Sequence, residues 1–361
     1  MLMMEEANQV RSDYEVNWLA VGNEAVKASS AFSTEYWGNV PRTGFLGVAR
    51  ASQPDEDGFN WLANGYASLQ LVPEASDVVN TSRALIPYKD SVHEVLINTK
   101  LNAVMAFLGD SFPSGVAPGI VQASMDAGAV TIAVVSQPRE DEGRKHFTHA
   151  KYAFNEIKPS ADAMCVLPLD MLCRYLSSSV VISMIEKAIY TVFANAVRGI
   201  LDLSEYGGFG SPNKEEIIQF FKLADNVLFG YAKLDGDAKH NAEAIRTALK
   251  NPFDRVRKFD EAEQILVSVC MGTQNIDMDF YLEIGRICKS VLGSSADVIV
   301  GSFESKLAIE DPWVAIYGRG LKDRRNDGFD YPDARIDPEK AAPKLPAYYR
   351  QHFKQTTGRF H

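Results

Sequence analysis

NAVMAFLGDSFPSGVAPGIVQASMDAGAVTIAVVSQPREDEG, residues 102–143, is strand, turn, helix and strand in one unbroken run, and the fold follows from it. Asn102 to Leu108 is short, almost wholly apolar and bounded by turn residues, which predicts a strand buried on both faces. GDSFPSG predicts an irregular loop. Val116 to Ala127 then repeats apolar residues at helical spacing until Gly128 stops it, and Ala129 to Val135 is a second buried strand. Such a βαβ unit joins parallel strands, so the fold class is α/β, with ligands expected at the carboxyl ends of those strands.

Working outward, Val16 to Gly22 reads as a first strand, Asn23 to Ala31 as its helix, and Thr43 to Ala49 as the next strand. Gln53 to Arg83, interrupted by Pro54, Gly58, Gly65 and Pro73, reads as irregular, and Asp90 to Leu101 as a helix feeding the central strand. Downstream come a helix over Gly143 to Asn155, a strand over Ala161 to Leu167, a short helix over Pro168 to Tyr175, and a long helix over Ser177 to Leu203 with serines at its start. From Glu215, helices over Glu215–Leu223, Asp237–Leu249 and Met278–Val291 alternate with strands over Asn226–Lys233, Gln264–Met271, Asp297–Gly301 and Trp313–Gly318. That order predicts a second α/β layer with a mixed sheet. The expected division is a frayed leader (1–14), a first domain (15–176), a central helix (177–204), a second domain (205–320), a charged Pro- and Asp-rich linker (321–343) and a terminal peptide (344–361).

At 361 residues the chain is long enough for two ordinary cores. A net charge of −10 argues against a general nucleic-acid binder. No apolar stretch is long enough to span a bilayer, and nothing resembles a signal peptide. Cys165, Cys173, Cys270 and Cys288 each fall inside an apolar element without CxxC spacing, which reads as buried reduced thiols in a cytoplasmic protein.

The run from Gly115 to Gly143 resembles the stretch after the tubulin signature loop in FtsZ, the bacterial tubulin relative, where a Gly-Ala-Ala-Pro helix start leads to a strand and a Pro-x-x-x-Glu-Gly loop. The resemblance implies a Rossmann-type parallel-sheet domain and a second mixed-sheet α/β domain joined by a long central helix. It also implies a cytoskeletal GTPase of cell division. The family signature loop, rich in glycine and hydroxyl residues, falls on Gly109, Asp110, Ser111, Phe112, Pro113, Ser114 and Gly115. Bare glycine amides at a helix start cradle phosphates; here Phe112 and Pro113 add bulk and Asp110 adds negative charge. The family's first glycine run is reduced to Gly22 in VGNEAV, with Glu24 in place of the family Asn. Its Asn-Thr-Asp falls on Ala49, Arg50 and Ala51, none of them able to ligate magnesium.

Other nucleotide contacts implied by the resemblance are Glu142 at the ribose and His146 in place of an Arg. His146 and His149, one helical turn apart, read either as surface histidines or as half of a metal site. Counting back from Ala196-Val197-Arg198-Gly199-Ile200 puts Tyr190 at the base-contacting position, where it reads as a stacking platform or as core. The family's water-polarising Asn-x-Asp-x-x-Asp falls on Ser211, Asn213 and Glu216; the plainer reading of these residues is a capped helix start.

Leu345-Pro346-Ala347-Tyr348-Tyr349-Arg350 resembles the FtsZ C-terminal recognition peptide that docks on tethers and regulators; a tail folding back on its own domain is the other reading. Together these features suggest an FtsZ-like division protein that assembles with itself or with an active FtsZ, with weak or absent binding and hydrolysis of GTP or GDP. Magnesium would enter only with the nucleotide. A divergent GTPase using Glu142, Ser111, Ser114 and Glu216 is the alternative, and Arg50 and Arg139 are the residues a different small anion would meet. The expected location is cytoplasmic, at the division site.

Overall fold

The computed structural model describes residues 14–30, 33–40, 42–50, 67–71, 77–177, 184–208, 210–235, 237–254, 257–272, 278–292, 296–307 and 309–321. The leader, the linker beyond Leu321 and the terminal peptide, including Leu345 to Arg350, lie outside these residues.

In chain order the elements begin with β1 (Val16–Val21), α1 (Asn23–Ser30), α2 (Ser33–Asn39), β2 (Thr43–Arg50), β3 (Ala67–Leu71), α3 (Val78–Arg83), α4 (Lys89–Leu96) and β4 (Leu101–Ala106). There follow α5 (Ser111–Asp126), β5 (Val130–Gln137), α6 (Arg144–Ile157), β6 (Ala163–Pro168), α7 (Leu169–Ser177) and α8 (Ile185–Tyr206). The chain continues with α9 (Lys214–Phe221), β7 (Asp225–Asn226), β8 (Leu228–Lys233), α10 (Ala238–Lys250), β9 (Gln264–Cys270), α11 (Met278–Leu292), β10 (Asp297–Phe303) and β11 (Trp313–Arg319). The described residues divide into two units: 14–30 with 42–161, and 33–40 with 162–321. Thus β6, α7 and the central helix α8 group with the second unit, and so does α2, although α1 and β2 on either side of it belong to the first.

In the first unit five strands run parallel in the order β3-β2-β1-β4-β5. Every residue of β1, β4 and β5 is buried, as expected of parallel strands covered on both faces. The register aligns Val16 with both Thr43 and Leu101, and Leu101 with Val130, so these strands begin together and β2 and β5 run two residues further.

Four boundaries differ from the sequence expectation. The stretch GDSFPSG is not an irregular loop throughout, because α5 already starts at Ser111. Pro113 is accommodated in the first turn, where a missing N–H costs no intrahelical bond, and Ser114 N–H closes on the Asp110 carbonyl at 3.2 Å. Residues 53–83 are not uniformly irregular: they include β3, and α3 capped by Asp77, whose Oδ1 accepts from Val79 and Asn80 at 3.0 Å each. The helix expected through Leu101 ends at Leu96, and Asn98 turns the chain at φ 72° into β4. Ser177 closes α7 rather than opening the long helix, which among the described residues begins at Ile185.

In the second unit β6 pairs in parallel with β7, and a separate four-stranded sheet has the order β10-β9-β11-β8. Here β10 and β9 are parallel while β11 runs antiparallel to β9 and β8, giving the expected mixed sheet. Ile245, Ile265, Val267, Ile284, Val314 and Ile316 form its core with α10 and α11. The Tyr317 hydroxyl of β11 donates to the Ala196 carbonyl of α8 at 2.7 Å, fixing the central helix on that sheet.

Candidate functional site

The carboxyl ends of β1, β4 and β5 bring three turns of the first unit to one edge of its sheet. At the first, Gly22 takes φ +93°, a conformation open to glycine, and its N–H donates to the Val48 carbonyl at 2.7 Å. The Gly22 carbonyl in turn accepts from Val26 N–H at 3.0 Å. Asn23 Oδ1 accepts from the Arg50 amide at 3.1 Å, and exposed Glu24 pairs with Lys27 at 3.3 Å.

At the second turn, Gly109 N–H donates to Ser114 Oγ at 3.0 Å, and the Ser114 side chain is fully buried. The Gly109 carbonyl accepts from His149 Nδ1 at 3.0 Å, so that nitrogen carries the proton. Burial of His149 lowers its pKa, opposed by this bond. Ser111 stands in the first turn of α5, and its carbonyl accepts from Thr81 Oγ1 at 2.8 Å. Gly115 faces α3 so closely that a methyl group there would collide with Thr81 Oγ1 and lie 2.5 Å from the Val78 carbonyl. Its lack of a side chain therefore serves helix packing.

Pro113 bridges the two turns. A Cβ at Gly22 would lie 3.0 Å from Pro113 Cβ, so the pyrrolidine ring packs directly against the β1–α1 turn. Asp110 occupies the cap position of α5 without capping it, and its carboxylate is exposed.

The third turn is a single 3-10 turn, Glu140–Glu142, in which Arg139 bonds Asp141 at 2.8 Å and lies 3.7 Å from Glu142. Glu142 approaches His146 Nδ1 at 3.6 Å, while His146 Nε2 lies 3.8 Å from Asp110. The structure thus brings Gly22, Gly109, Ser111, Ser114, Gly115, Glu142 and His146 into one unit. Among the described residues no group of His, Cys, Asp and Glu has the geometry of a metal site. Gln137, the last residue of β5, is fully buried, and neither end of its amide has a partner within the described residues.

The remaining candidates lie in the second unit. Tyr190 is buried in α8 and its hydroxyl donates to Glu186 at 2.7 Å. Asn213 and Glu216 form a reciprocal capping box at the start of α9: Glu216 N–H donates to Asn213 Oδ1 at 3.0 Å, and Asn213 N–H to Glu216 Oε2 at 2.7 Å. The preceding loop is fastened to β10, with Ser211 Oγ donating to the Ser302 carbonyl at 3.0 Å and accepting from its N–H at 2.9 Å.

Sequence reading missed a buried charge cluster in this unit. Arg198 is fully buried on α8; its Nε donates to Asp202 Oδ2 at 3.2 Å, and Nη1 and Nη2 grip Glu310 at 2.6 and 2.9 Å. Burial by itself raises Glu310, but the bonds and charge of Arg198 outweigh it and hold that carboxyl below its ordinary range. Asp202, wholly buried, is pushed up despite Arg198. Arg and Asp four residues apart on the long helix were the one available signal, and Glu310 gave none.

No family model matches the chain. It is 25% identical over 263 residues to the cell division protein FtsZ of Azotobacter vinelandii, a match covering 73% of this chain and 66%, just under two thirds, of that protein's own length. An empty FtsZ dimer structure from M. jannaschii superposes with a TM-score of 0.72 at 17% identity, covering 92% of this chain and 96% of that one. A protofilament of Haloferax volcanii CetZ2 with GTPγS bound gives 0.63 at 18% identity, covering 87% and 96%. The fold is that of the FtsZ and CetZ structures, with one α/β unit and a second that includes the long helix α8. In sequence the chain is similar to FtsZ at low identity, 25% to the Azotobacter vinelandii protein.

Proposed function

We propose that this protein is an FtsZ-like cytoskeletal component of cell division that assembles with itself or with an active FtsZ and binds and hydrolyses GTP weakly or not at all. The observation that carries the reading is the contact of the Pro113 ring with Gly22, in the gap between the two turns that face a phosphate in this family. The amides of Gly22 and Gly109 are committed to Val48 and Ser114, and the carboxylates of Glu24 and Asp110 add negative charge beside them. Phosphate recognition needs uncommitted N–H donors and a positive field; here two glycine amides are committed, Pro113 has no N–H, and two carboxylates oppose the field of the α5 N-terminus. Asn213 cannot act as a general base, and Glu216 is engaged in capping its own helix. The segment Leu345 to Arg350, with aromatic residues beside a cation, then carries recruitment to a division-site adaptor in the cytoplasm.

Calorimetric titration with GTP and magnesium, followed by pelleting alone and with an active FtsZ, tests this. Absent heat at millimolar nucleotide, with pelleting that needs no GTP and falls on Arg350→Glu in the mixed assay, is the expected result. Micromolar binding, with phosphate release proportional to protein and lost in Glu216→Ala, would overturn it in favour of a divergent GTPase.

A further inference from the structure

The strand β10 stands at the outer edge of the mixed sheet, beside β9 in the order β10-β9-β11-β8. Asp297 N–H donates to the Glu263 carbonyl and Met271 N–H to the Phe303 carbonyl, each at 3.0 Å. The odd-numbered residues of β10 therefore turn their backbone to β9 and the even-numbered ones turn it outward. One end of that outer edge is closed. Ser302 N–H donates to Ser211 Oγ at 2.9 Å, its carbonyl accepts from Gly208 N–H at 2.7 Å, and the Val300 carbonyl accepts from the Tyr281 hydroxyl at 3.0 Å. Among the described residues the Val300 N–H and both backbone groups of Val298 have no partner. Val298, Ile299 and Val300 are half-buried. An open edge carrying Val-Ile-Val, with no Lys or Pro in the strand, is one that proteins ordinarily cover.

The other end of the edge is acidic and lies where the chain leaves the sheet. The register places Arg319 of β11 beside Gln264 of β9, and Gln264 beside Asp297. The Glu263 side chain packs on Gly320, where a Cβ would lie 2.8 Å from Glu263 Oε2. Asp260, Glu263 and Asp297 are exposed and Glu261 is half-buried, against exposed Lys258 and an Arg319 turned onto the Gln219 and Phe220 carbonyls at 2.8 Å each. Residues 344–361 have the opposite character: four Lys or Arg, two His and no Asp or Glu. Within 348–354, Arg350, His352 and Lys354 alternate with Tyr349, Gln351 and Phe353, the two-residue period of a strand. Residues 322–343, following Leu321, reach about 70 Å when extended, whereas β10 stands two strand spacings from β11, about 10 Å.

We propose that residues 348–354 of the same chain dock on the open edge of β10 as an added strand, with their cations on the side of Asp297 and with Tyr349 and Phe353 on the side of Val298 and Val300. Main-chain bonds to Val298 and Val300 supply the contact, and the charges set its place. A second copy of β10 fits less well. In an antiparallel pair centred on Ile299 its Ala296 would fall opposite Ser302, where the loop holding Ser211 already sits. The consequence of docking, though not the contact itself, rests on the recruitment reading: residues 348–350 belong to both, so a docked tail is withheld from an adaptor.

Hydrogen exchange at single-amide resolution on the full chain, native against the double variant Arg350→Glu with Lys354→Glu, tests the dock. Neither substitution touches a strand of either sheet. The amides of Val298 and Val300 are expected to exchange about tenfold faster in the double variant, while Ile299, whose N–H faces β9, keeps its native rate. Val298→Pro removes one outward N–H and none from the β9 ladder, so it should speed Val300 and the amides of 348–354 alike. Salt at about 0.5 M should speed Val298 in the native chain and leave the double variant unchanged. Equal rates at Val298 and Val300 in the native chain and the double variant would overturn the proposal. So would protection that survives the double variant and grows with protein concentration, which assigns the edge to a second copy. The assay contains neither nucleotide nor FtsZ, so its failure is distinct from a failure of recruitment in the pelleting experiment.

Discussion

The carboxyl edge of the first unit's sheet and the buried cluster on α8 handle polar groups in opposite ways. At the sheet edge, backbone amides that could have faced a ligand are turned onto neighbouring carbonyls and hydroxyls, as with Gly22 on Val48 and Gly109 on Ser114. The carboxylates there, on Glu24 and Asp110, stay at the surface. Around α8 the guanidinium of Arg198, the buried carboxylate of Asp202 and the largely buried one of Glu310 are satisfied by each other, by Tyr36 and by Trp313. The difference teaches where mutational sensitivity should lie. A sheet edge whose charges stay at the surface tolerates changes of charge, whereas a buried charge network does not tolerate the loss of one member.

The largest expected effect tests that contrast directly. Arg198→Leu leaves Asp202 and Glu310 facing each other without a cation and should cost about 3–5 kcal/mol in denaturant unfolding. A loss as small as that of Glu24→Gln at the sheet edge would erase the distinction. Next comes Gly115→Ala, whose new methyl meets Thr81 Oγ1 and the Val78 carbonyl. It should destabilise by about 1–3 kcal/mol, seen as a lower thermal midpoint. Thr81→Ala in the same chain should restore part of this, because the Val78 carbonyl remains in the way.

The pH dependence sharpens the comparison within the cluster itself. Glu310 is held below its ordinary value of 4.5, so its contribution is present above that pH and is lost as pH falls through the folded value. Asp202 is raised above 3.8, so its ionised form costs stability, and acidification through its folded value relieves that cost. Stability-versus-pH curves of Glu310→Gln and Asp202→Asn should therefore change slope in opposite senses, the first flattening the acid loss and the second removing the gain. Curves parallel to that of the native protein would break the assignment. The smallest effect is expected at α9, where Asn213→Ala removes a cap and should cost about 1 kcal/mol without altering exchange in the first unit.

Most of the fold was legible because its strands are buried on both faces and read as apolar runs. The strands β1, β2, β4, β5 and β8 to β11 fall within a residue or two of their expected limits. The stretch holding β3 and α3 was obscured by Pro54, Gly58, Gly65 and Pro73, and α3 is specified by the cap at Asp77 rather than by a periodic face. The start of α5 was misplaced because GDSFPSG was read as loop throughout, although the first turn of a helix accepts proline. At the candidate site, the capping pair Asn213 and Glu216 was legible from spacing alone, since both partners sit on one helix turn. The meeting of Pro113 with Gly22, ninety-one residues apart, was not.

By itself the sequence determined the α/β class, the alternation of strand and helix, the central helix and the resemblance to FtsZ, because each is written in local periodicity and short motifs. Only the tertiary structure decided that Gly115 serves packing, that Tyr36 crosses to Asp202, and that Glu310 completes the Arg198 cluster. These depend on side chains from distant segments meeting in a dry interior, and no local pattern records which partner a buried polar group will find.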